Sequence, residues 1–376
     1  MNAHSSPAET RWGFIHPFQL RLQRGIEVYL WNLASALAQE GTEVDFLTWA
    51  GPLDIPDYAR ISRMKLHRVP SVRYFQSQFS VPYYIYWLLK GGYQHVFVHF
   101  AGYGEGAALK LARLFRPTPF SVVFHFPPSL VPHRYREFKR WGFQRDAKYL
   151  IAVSQATARE VEGWAGRPCQ VIGHGVDTQR FHPDTLLRAQ MRQELGINSN
   201  ASVLISAAAL EERKGIQWVI RAMPKVLEKM PNTCYLILGD GPYREELAEQ
   251  ARKLNLNQRV MFLGFKKNVA PYLCASDVAL LLSKGEASSV SLLEYAASGL
   301  PVLTSPYSPF PELVRPDWGR MVPEQDGEQL SRAILELLSD AGLRARWGMC
   351  ARAWVSKNHV WHQVARQYME LIANNQ

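Results

Sequence analysis

The chain has 376 residues, 47% hydrophobic and 20% charged, the balance of a soluble globular enzyme. That length suits two domains rather than one core, and no apolar run reaches the ~18 residues a membrane-spanning helix needs. The formal net charge of +10 is uneven: residues 1–170 carry 20 Lys+Arg against 12 Asp+Glu, and residues 171–376 carry 23 against 21.

The first ten residues are polar and lack the basic-then-apolar order of a secretory leader, so a cytoplasmic location is expected. Trp12-Gly13-Phe14-Ile15 reads as a first strand. Ile26, Leu30, Leu33 and Leu37 then recur at helical spacing, with Gly41 as the stop. Residues 44–48, 96–98, 121–124 and 149–153 are further apolar strand runs, with helical stretches such as 106–115 between them. Two segments of this half are aromatic. One is the short run 83–89. The other is 133–141, the densest basic stretch, where His133, Arg134, Arg136, Lys139 and Arg140 alternate with Tyr135, Phe138 and Trp141. Such interleaving fits an anionic membrane surface, nucleic acid or a small anion, and equally the solvated face of an amphipathic helix.

The alternation restarts after Arg180-Phe181-His182-Pro183. Residues 202–206, 234–238, 260–263 and 278–282 read as strands, and 216–230 and 243–254 as helices, with the turn Gly239-Asp240-Gly241-Pro242 between. Strands alternating with helices predict an α/β chain of two Rossmann-like, doubly wound parallel-sheet domains. The expected divisions are 1–175, 176–356 and a last helical segment, 357–376, where Trp361, Val364, Tyr368 and Leu371 share a face. Cys169, Cys234, Cys274 and Cys350 form no CxxC pair and read as reduced thiols.

In open sheets of this kind ligands bind beyond the carboxyl ends of the strands, and two such domains facing each other make a cleft. The segment 283–302 lies at such an end. Ser283-Lys284-Gly285-Glu286 is the turn; Ser288 or Ser289 caps a helix holding Leu292, Leu293, Ala296 and Ala297; Gly299 ends it and Pro301 prevents its continuation. The free N–H groups of a helix start hold a phosphate well. Glu286 would sit beside that anion, and Glu294 a turn and a half into the helix; each carboxylate can accept two hydrogen bonds from a vicinal diol. The competing reading makes Glu286 a loop charge and Glu294 a helix-capping or exposed residue. Lys214-Gly215 also follows a strand, where a lysine can neutralise a diphosphate leaving group; alternatively Glu211-Glu212-Arg213-Lys214 is a surface charge cluster.

With these motifs in order, the chain resembles the glycosyltransferases of family 4, retaining enzymes of the two-Rossmann GT-B architecture. The resemblance rests on Ile172-Gly173-His174-Gly175-Val176-Asp177 with Phe181 and Pro183, then Lys214-Gly215, Leu238-Gly239-Asp240-Gly241-Pro242, residues 260–264, Glu286 and Glu294 with seven residues between them, and residues 297–302. It implies that Glu286 binds hydroxyls of the transferred sugar, Glu294 the ribose, and Lys214 the diphosphate. The backbone around Ser288, Ser289 and Val290 would complete the phosphate site, and Phe265 and Lys266 would lie near the base. Gly25 matches the second glycine of the family's glycine-rich loop. His125 matches a cleft histidine near the donor sugar, although a lone histidine at a strand end is often structural. The last helix matches a segment that crosses back onto the first, acceptor-side domain.

The chain departs from the family pattern in three places. Ala208-Ala209-Leu210 stands where Gly-Arg-Leu is usual, Arg24 replaces the loop's first glycine, and Ala287-Ser288-Ser289 replaces Gly-Phe-Gly. Arg213 or Arg24 is then the candidate to supply the missing diphosphate arginine.

The expected activity is transfer of a sugar, with retention, from a UDP- or GDP-linked donor to a hydroxyl acceptor. A lipid-linked or envelope glycan fits as acceptor, and an anionic inner membrane face as a surface. There is no DxD pair and no His/Asp cluster at ligand spacing, so neither metal nor other cofactor is expected. The competing readings are a non-catalytic sugar-nucleotide or glycan binder and a sugar-nucleotide epimerase on the same fold. Nucleic acid is not an expected partner, because no recognised module accompanies the basic charge.

Overall fold

The structure, a computed structural model, describes residues 10–16, 25–49, 63–69, 80–99, 103–286 and 288–374. The chain divides into two compact units, Met1–Gly175 with Trp361–Gln376, and Val176–Val360. The second unit runs to Val360 rather than to 356 because Val360 pairs with Val176 in a parallel bridge, and the Val176 N–H donates to the His359 carbonyl at 2.8 Å.

In the first unit, β1 (Arg11–His16), β2 (Glu43–Trp49), β3 (Met64–Val69), β4 (His95–Val98), β5 (Phe120–Phe124), β6 (Leu150–Ala152) and β7 (Gln170–Val171) form a parallel sheet in the order β3-β2-β1-β4-β5-β6-β7. Its helices are α1 (Gly25–Gln39), α2 (Val81–Lys90), α3 (Tyr103–Phe115), α4 (Pro132–Arg140), α5 (Phe143–Asp146) and α6 (Gln155–Ala165), joined by the last helix, Trp361–Ala373. The central strands β4 and β5 are buried at every position, the signature of a sheet covered on both faces. Edge strand β3, MKLHRV, mixes charged and apolar residues because it is only partly covered. The last helix buries Val364, Ala365, Tyr368 and Ile372; Leu371 turns out half-buried, since it lies off the centre of a stripe set by residues 368 and 372. The Tyr368 hydroxyl meets that of Tyr29 on α1 at 2.7 Å.

Helix α4 carries the basic stretch, with aromatic residues on one face and charged residues on the other. Tyr135 and Phe138 are buried against Phe124, while His133, Arg136, Lys139 and Arg140 face solvent. The aromatic residues there are core, and the interleaving is that of an amphipathic helix. Buried Asp45 on β2 binds Arg11 and His67, each at 2.6 Å, and the Tyr93 hydroxyl at 3.1 Å.

In the second unit the sheet is β8 (Ser202–Ala207), β9 (Thr233–Leu238), β10 (Val260–Gly264), β11 (Val278–Leu281), β12 (Val302–Thr304) and β13 (Gly319–Met321), parallel and ordered β10-β9-β8-β11-β12-β13. Around it lie α7 (Thr185–Glu194), α8 (Ile216–Lys229), α9 (Arg244–Lys253), α10 (Ala270–Ala275), α11 (Val290–Ala297), α12 (Phe310–Leu313), α13 (Gly327–Ser339) and α14 (Ala341–Asn358), which makes the last helix α15. Separate apolar clusters cover the two faces, one around Tyr295 and Trp318, the other around Ile220 and Ile334. Asp277, just before β11, accepts from Arg188 at 2.6 Å, from Arg192 at 2.9 Å and from the Val203 N–H at 2.7 Å, fastening α7 to the sheet.

Two glycines of the motifs have steric reasons. Gly215 and Gly239 adopt φ of +72° and +135°, and a Cβ at either would run into the carbonyl of Leu282 or of Ala208.

Candidate active site

The carboxyl ends of β8 and β11, neighbours in the second sheet, bring the predicted charges together. After β8 the chain turns through a short 3-10 segment, Glu212–Lys214, and Lys214 directs its ammonium to Glu286 Oε1. Glu286 follows β11, and the same oxygen accepts from the Ser283 hydroxyl at 2.6 Å. Arg213 stands 3.8 Å from that oxygen, donates to the Gly285 carbonyl at 3.3 Å and is held by Glu211 at 2.7 Å. Glu286 and Lys214 are largely shielded, with side chains 13% and 11% exposed. Arg213 is thus placed to add a second positive charge beside Lys214, where Ala209 supplies none.

Helix α11 starts directly after this turn. Ser289 is its N-cap and accepts from the Leu292 N–H at 3.2 Å, which leaves the other first-turn N–H groups, beginning at Val290, without intrahelical acceptors. Ser288 lies one residue earlier and is half-buried; Ala287 falls outside the described residues. The helix is tied to the end of β8: the Tyr295 hydroxyl accepts from the Ala207 N–H at 2.7 Å, and Ser291 donates to the Ala207 carbonyl at 2.9 Å.

Glu294, on α11, keeps intermediate exposure yet is closely surrounded by protein. That burial pushes it up to about 7, against the opposing pull of Arg180. Arg180 in turn donates to the Lys267 carbonyl at 3.1 Å and to Asn268 at 3.2 Å. It thereby links Glu294 to the turn after β10, where Phe265 is 54% exposed and Lys266 lies over the Tyr272 ring.

Arg180 and Tyr295 were not singled out from sequence, because their partners are distant in the chain. Nor was Glu324, only 3% exposed, which pairs with Lys284 at 2.9 Å and accepts from Tyr307 at 3.1 Å. Burial raises the Glu324 carboxyl, but those partners win and hold it below the usual range. The triad braces the turn that carries Glu286.

In the first unit, Gly25 is the exposed first residue of α1; Arg24 and the rest of its loop lie outside the described residues. His125 follows β5, is 5% exposed, and bonds through Nε2 to Nδ1 of His99 at 3.0 Å. Burial, with neighbouring His99, His174 and His16, holds it well below the usual histidine range, so it is neutral.

Two parallel α/β units, the second carrying Lys214, Arg213, Glu286 and the start of α11 at its strand ends, define a protein of the two-Rossmann type. The family model for glycosyltransferase family 4 matches residues 23–180, and that for glycosyl transferases group 1 matches residues 188–354; the chain belongs to this family. It is 29% identical over 258 residues to the GDP-mannose-dependent alpha-(1-6)-phosphatidylinositol monomannoside mannosyltransferase of Mycolicibacterium smegmatis, over 65% of this chain and 66% of that one. It is 30% identical over 232 residues to N-acetyl-alpha-D-glucosaminyl L-malate synthase of Bacillus anthracis, over 61% of this chain and 60% of that one. The chain thus spans just under two thirds of the length of these relatives. HepE of Anabaena, solved with UDP and glucose, superposes with a TM-score of 0.82 at 20% identity, over 97% of this chain and all of that one. The fold is therefore that of the GT-B enzymes, with two Rossmann-like units.

Proposed function

We propose that the protein is a nucleotide-sugar-dependent glycosyltransferase that moves a sugar to a hydroxyl acceptor with retention and without a metal. The observation that carries this reading is the convergence of Lys214, Glu286 and the start of α11 on the carboxyl ends of β8 and β11. The diphosphate takes the cationic side chains and the helix start, Glu286 takes sugar hydroxyls, and Glu294 the ribose. The bond from the anomeric carbon to the phosphate oxygen breaks as the acceptor oxygen bonds to the same face of that carbon. The acceptor proton passes to the departing phosphate oxygen. Lys214, Arg213 and the first-turn N–H groups spread the developing negative charge, the task a divalent cation performs elsewhere. Swapping the Glu286–Lys214 pairing for Lys214–phosphate contact frees the carboxylate for the sugar.

The relatives named above use GDP-mannose or make glucosaminyl products, and HepE was solved with UDP, so both bases stay in the test. The phosphatidylinositol monomannoside acceptor of the mycobacterial relative favours a glycolipid or envelope-glycan acceptor here, whereas the L-malate of the other keeps a small hydroxy acid in the test. The test is calorimetric titration with UDP, GDP and their sugars, followed by assay of diphosphate release with lipid extracts and with L-malate. Binding and release with one base support the reading; binding without release points to a non-catalytic binder, and product formed without acceptor to an epimerase.

A second element of the proposal is contact with an anionic membrane. Among the described residues no helix is long and apolar enough to cross a membrane. On α2, however, Tyr83 and Tyr86 are 47% and 50% exposed beside Lys90, and on α3 Leu114 and Phe115 are 78% and 77% exposed beside Arg116. Arg116 donates to the Leu89 carbonyl, so the two helix ends adjoin. Apolar side chains rimmed by cations suit an anionic headgroup layer. Flotation with phosphatidylglycerol vesicles checks this; protein that stays at the bottom of the gradient counts against it.

A further inference from the structure

The two oxygens of Glu286 are used differently. Oε1 takes the Ser283 hydroxyl at 2.6 Å and the Lys214 ammonium, with Arg213 at 3.8 Å. Oε2 accepts from no described residue, yet it is not sealed from solvent. All of these groups belong to the second unit, as does the donor site built on them.

The three neighbours of Oε1 are not equally fixed. Lys214 ends a flexible four-carbon stem, and in the reading above it turns to the departing phosphate. Arg213 is 42% exposed, stands beyond hydrogen-bond distance, and is engaged by Glu211 and the Gly285 carbonyl. Ser283 is fully buried, and its hydroxyl oxygen hangs on a single rotatable bond. The backbone beneath it is clamped on both sides. The Ser283 carbonyl accepts from the hydroxyl of Ser305, itself fully buried just after β12. The next N–H, of Lys284, donates to the Arg213 carbonyl at 2.7 Å, and the Glu286 N–H donates to the Ser308 carbonyl at 3.3 Å. The turn is thus fastened to the segments after β8 and β12, the two neighbours of β11.

The sense of the Ser283 bond is fixed by chemistry. A carboxylate facing an ammonium has no proton to give, so the serine hydroxyl donates. The last torsion of a glutamate is broad, and a carboxylate without a partner swings freely about it. A donor of set position at Oε1 selects one setting, the one with Oε2 open. We infer that Ser283 is a positioning residue: by donating to Glu286 Oε1 from a buried, clamped site it holds Oε2 ready for hydroxyls of the donor sugar, and it keeps doing so once Lys214 has left for the phosphate. This deepens the glycosyltransferase reading above and rests on it.

The test is isothermal titration of the full chain, at one fixed pH, with UDP, UDP-glucose, UDP-N-acetylglucosamine, GDP and GDP-mannose. The quantity read is the Kd of the nucleotide-sugar divided by that of the nucleoside diphosphate of the same base. Any change in how the diphosphate is held enters both values and cancels, so the ratio reports the sugar contact. Ser283→Ala removes one oxygen and leaves both backbone clamps in place. It is expected to raise the ratio about three- to tenfold, the cost of leaving a side chain for the ligand to order, with the diphosphate Kd within about twofold of wild type. In a Glu286→Ala background the same substitution is expected to leave the ratio unchanged, because no carboxylate is there to set. A wild-type ratio in Ser283→Ala overturns the proposal. So does an equal rise of the ratio in the Glu286→Ala background, which makes Ser283 a general support of the turn. A wild type that binds none of the five ligands refutes the transferase reading itself, and the assignment of Ser283 falls with it.

Discussion

Replacing Glu294 by glutamine tests whether this carboxylate binds the ribose. Burial pushes the group up to about 7, with Arg180 pulling the other way. Only the ionised form accepts from both ribose hydroxyls, so donor binding should tighten as pH rises through 7. For a single group of that pKa the ionised fraction goes from about one tenth at pH 6 to about nine tenths at pH 8, so Kd should fall about tenfold over that span. A nucleotide-sugar is the right ligand, because its diphosphate has no group titrating in this range and a free nucleoside diphosphate does. In Glu294→Gln the charge-assisted contacts, worth ~1.5–3 kcal/mol, are lost, so binding at pH 8 should weaken about 10- to 150-fold and no longer depend on pH. The same variant should melt higher than wild type at pH 8. A carboxyl whose folded pKa lies above its unfolded value destabilises the fold as pH rises between the two, and the amide is spared that. Isothermal titration at pH 6, 7 and 8 reads the binding. A wild-type Kd flat across the range, or a glutamine variant that binds as tightly at pH 8, refutes the assignment.

Lys214→Met should lower kcat/KM by about 10- to 150-fold, since it removes a charge-assisted contact to the departing phosphate, and donor turnover assays check it. Asp277→Ala should cost about 3–5 kcal/mol in urea unfolding, because Arg188 and the nearly buried Arg192 lose their shared carboxylate. Asp45 is raised by burial, but the bonds from His67 and Arg11 outweigh that and hold it below the usual carboxylate range. Its contribution is present at neutral pH and disappears as pH falls through the folded pKa. Denaturant titrations at pH 5 and pH 3 should show a loss on acidification that Asp45→Asn reduces.

The strands that were plain in the sequence are those buried on both faces: 203–205, 234–238 and 278–282 form uninterrupted apolar runs because the unit packs helices on either side. Strands β3, β7, β12 and β13 escaped; β3, β7 and β13 are sheet edges and β12 is a three-residue strand next to one. Gln170-Val171 is exposed, and Gly319-Arg320-Met321 carries almost no apolar signal. At the site, Glu286 and Lys214 were legible separately as turn residues after strands. Their meeting follows once β8 and β11 are neighbours, which parallel topology permits and spacing alone does not state. Arg180 gave no such hint. It lies in the linker, more than a hundred residues before Glu294, and only the tertiary fold brings its charge to bear on that carboxyl. The basic-aromatic run 133–141 carried an ambiguous signal, since alternation every three or four residues describes both a helix packed on a core and one laid on a surface.

The anchoring of α11 to the last residue of β8 has a wider consequence. Through Tyr295 and Ser291 a single backbone unit, Ala207, serves as the common mount for the helix bearing Glu294 and for the strand leading to Lys214. The acid and the base therefore keep their spacing by internal bracing of one half of the chain. Drift of sequence in the other half of the chain therefore leaves the spacing between the start of the Glu294-bearing helix and the strand end before Lys214 as it is.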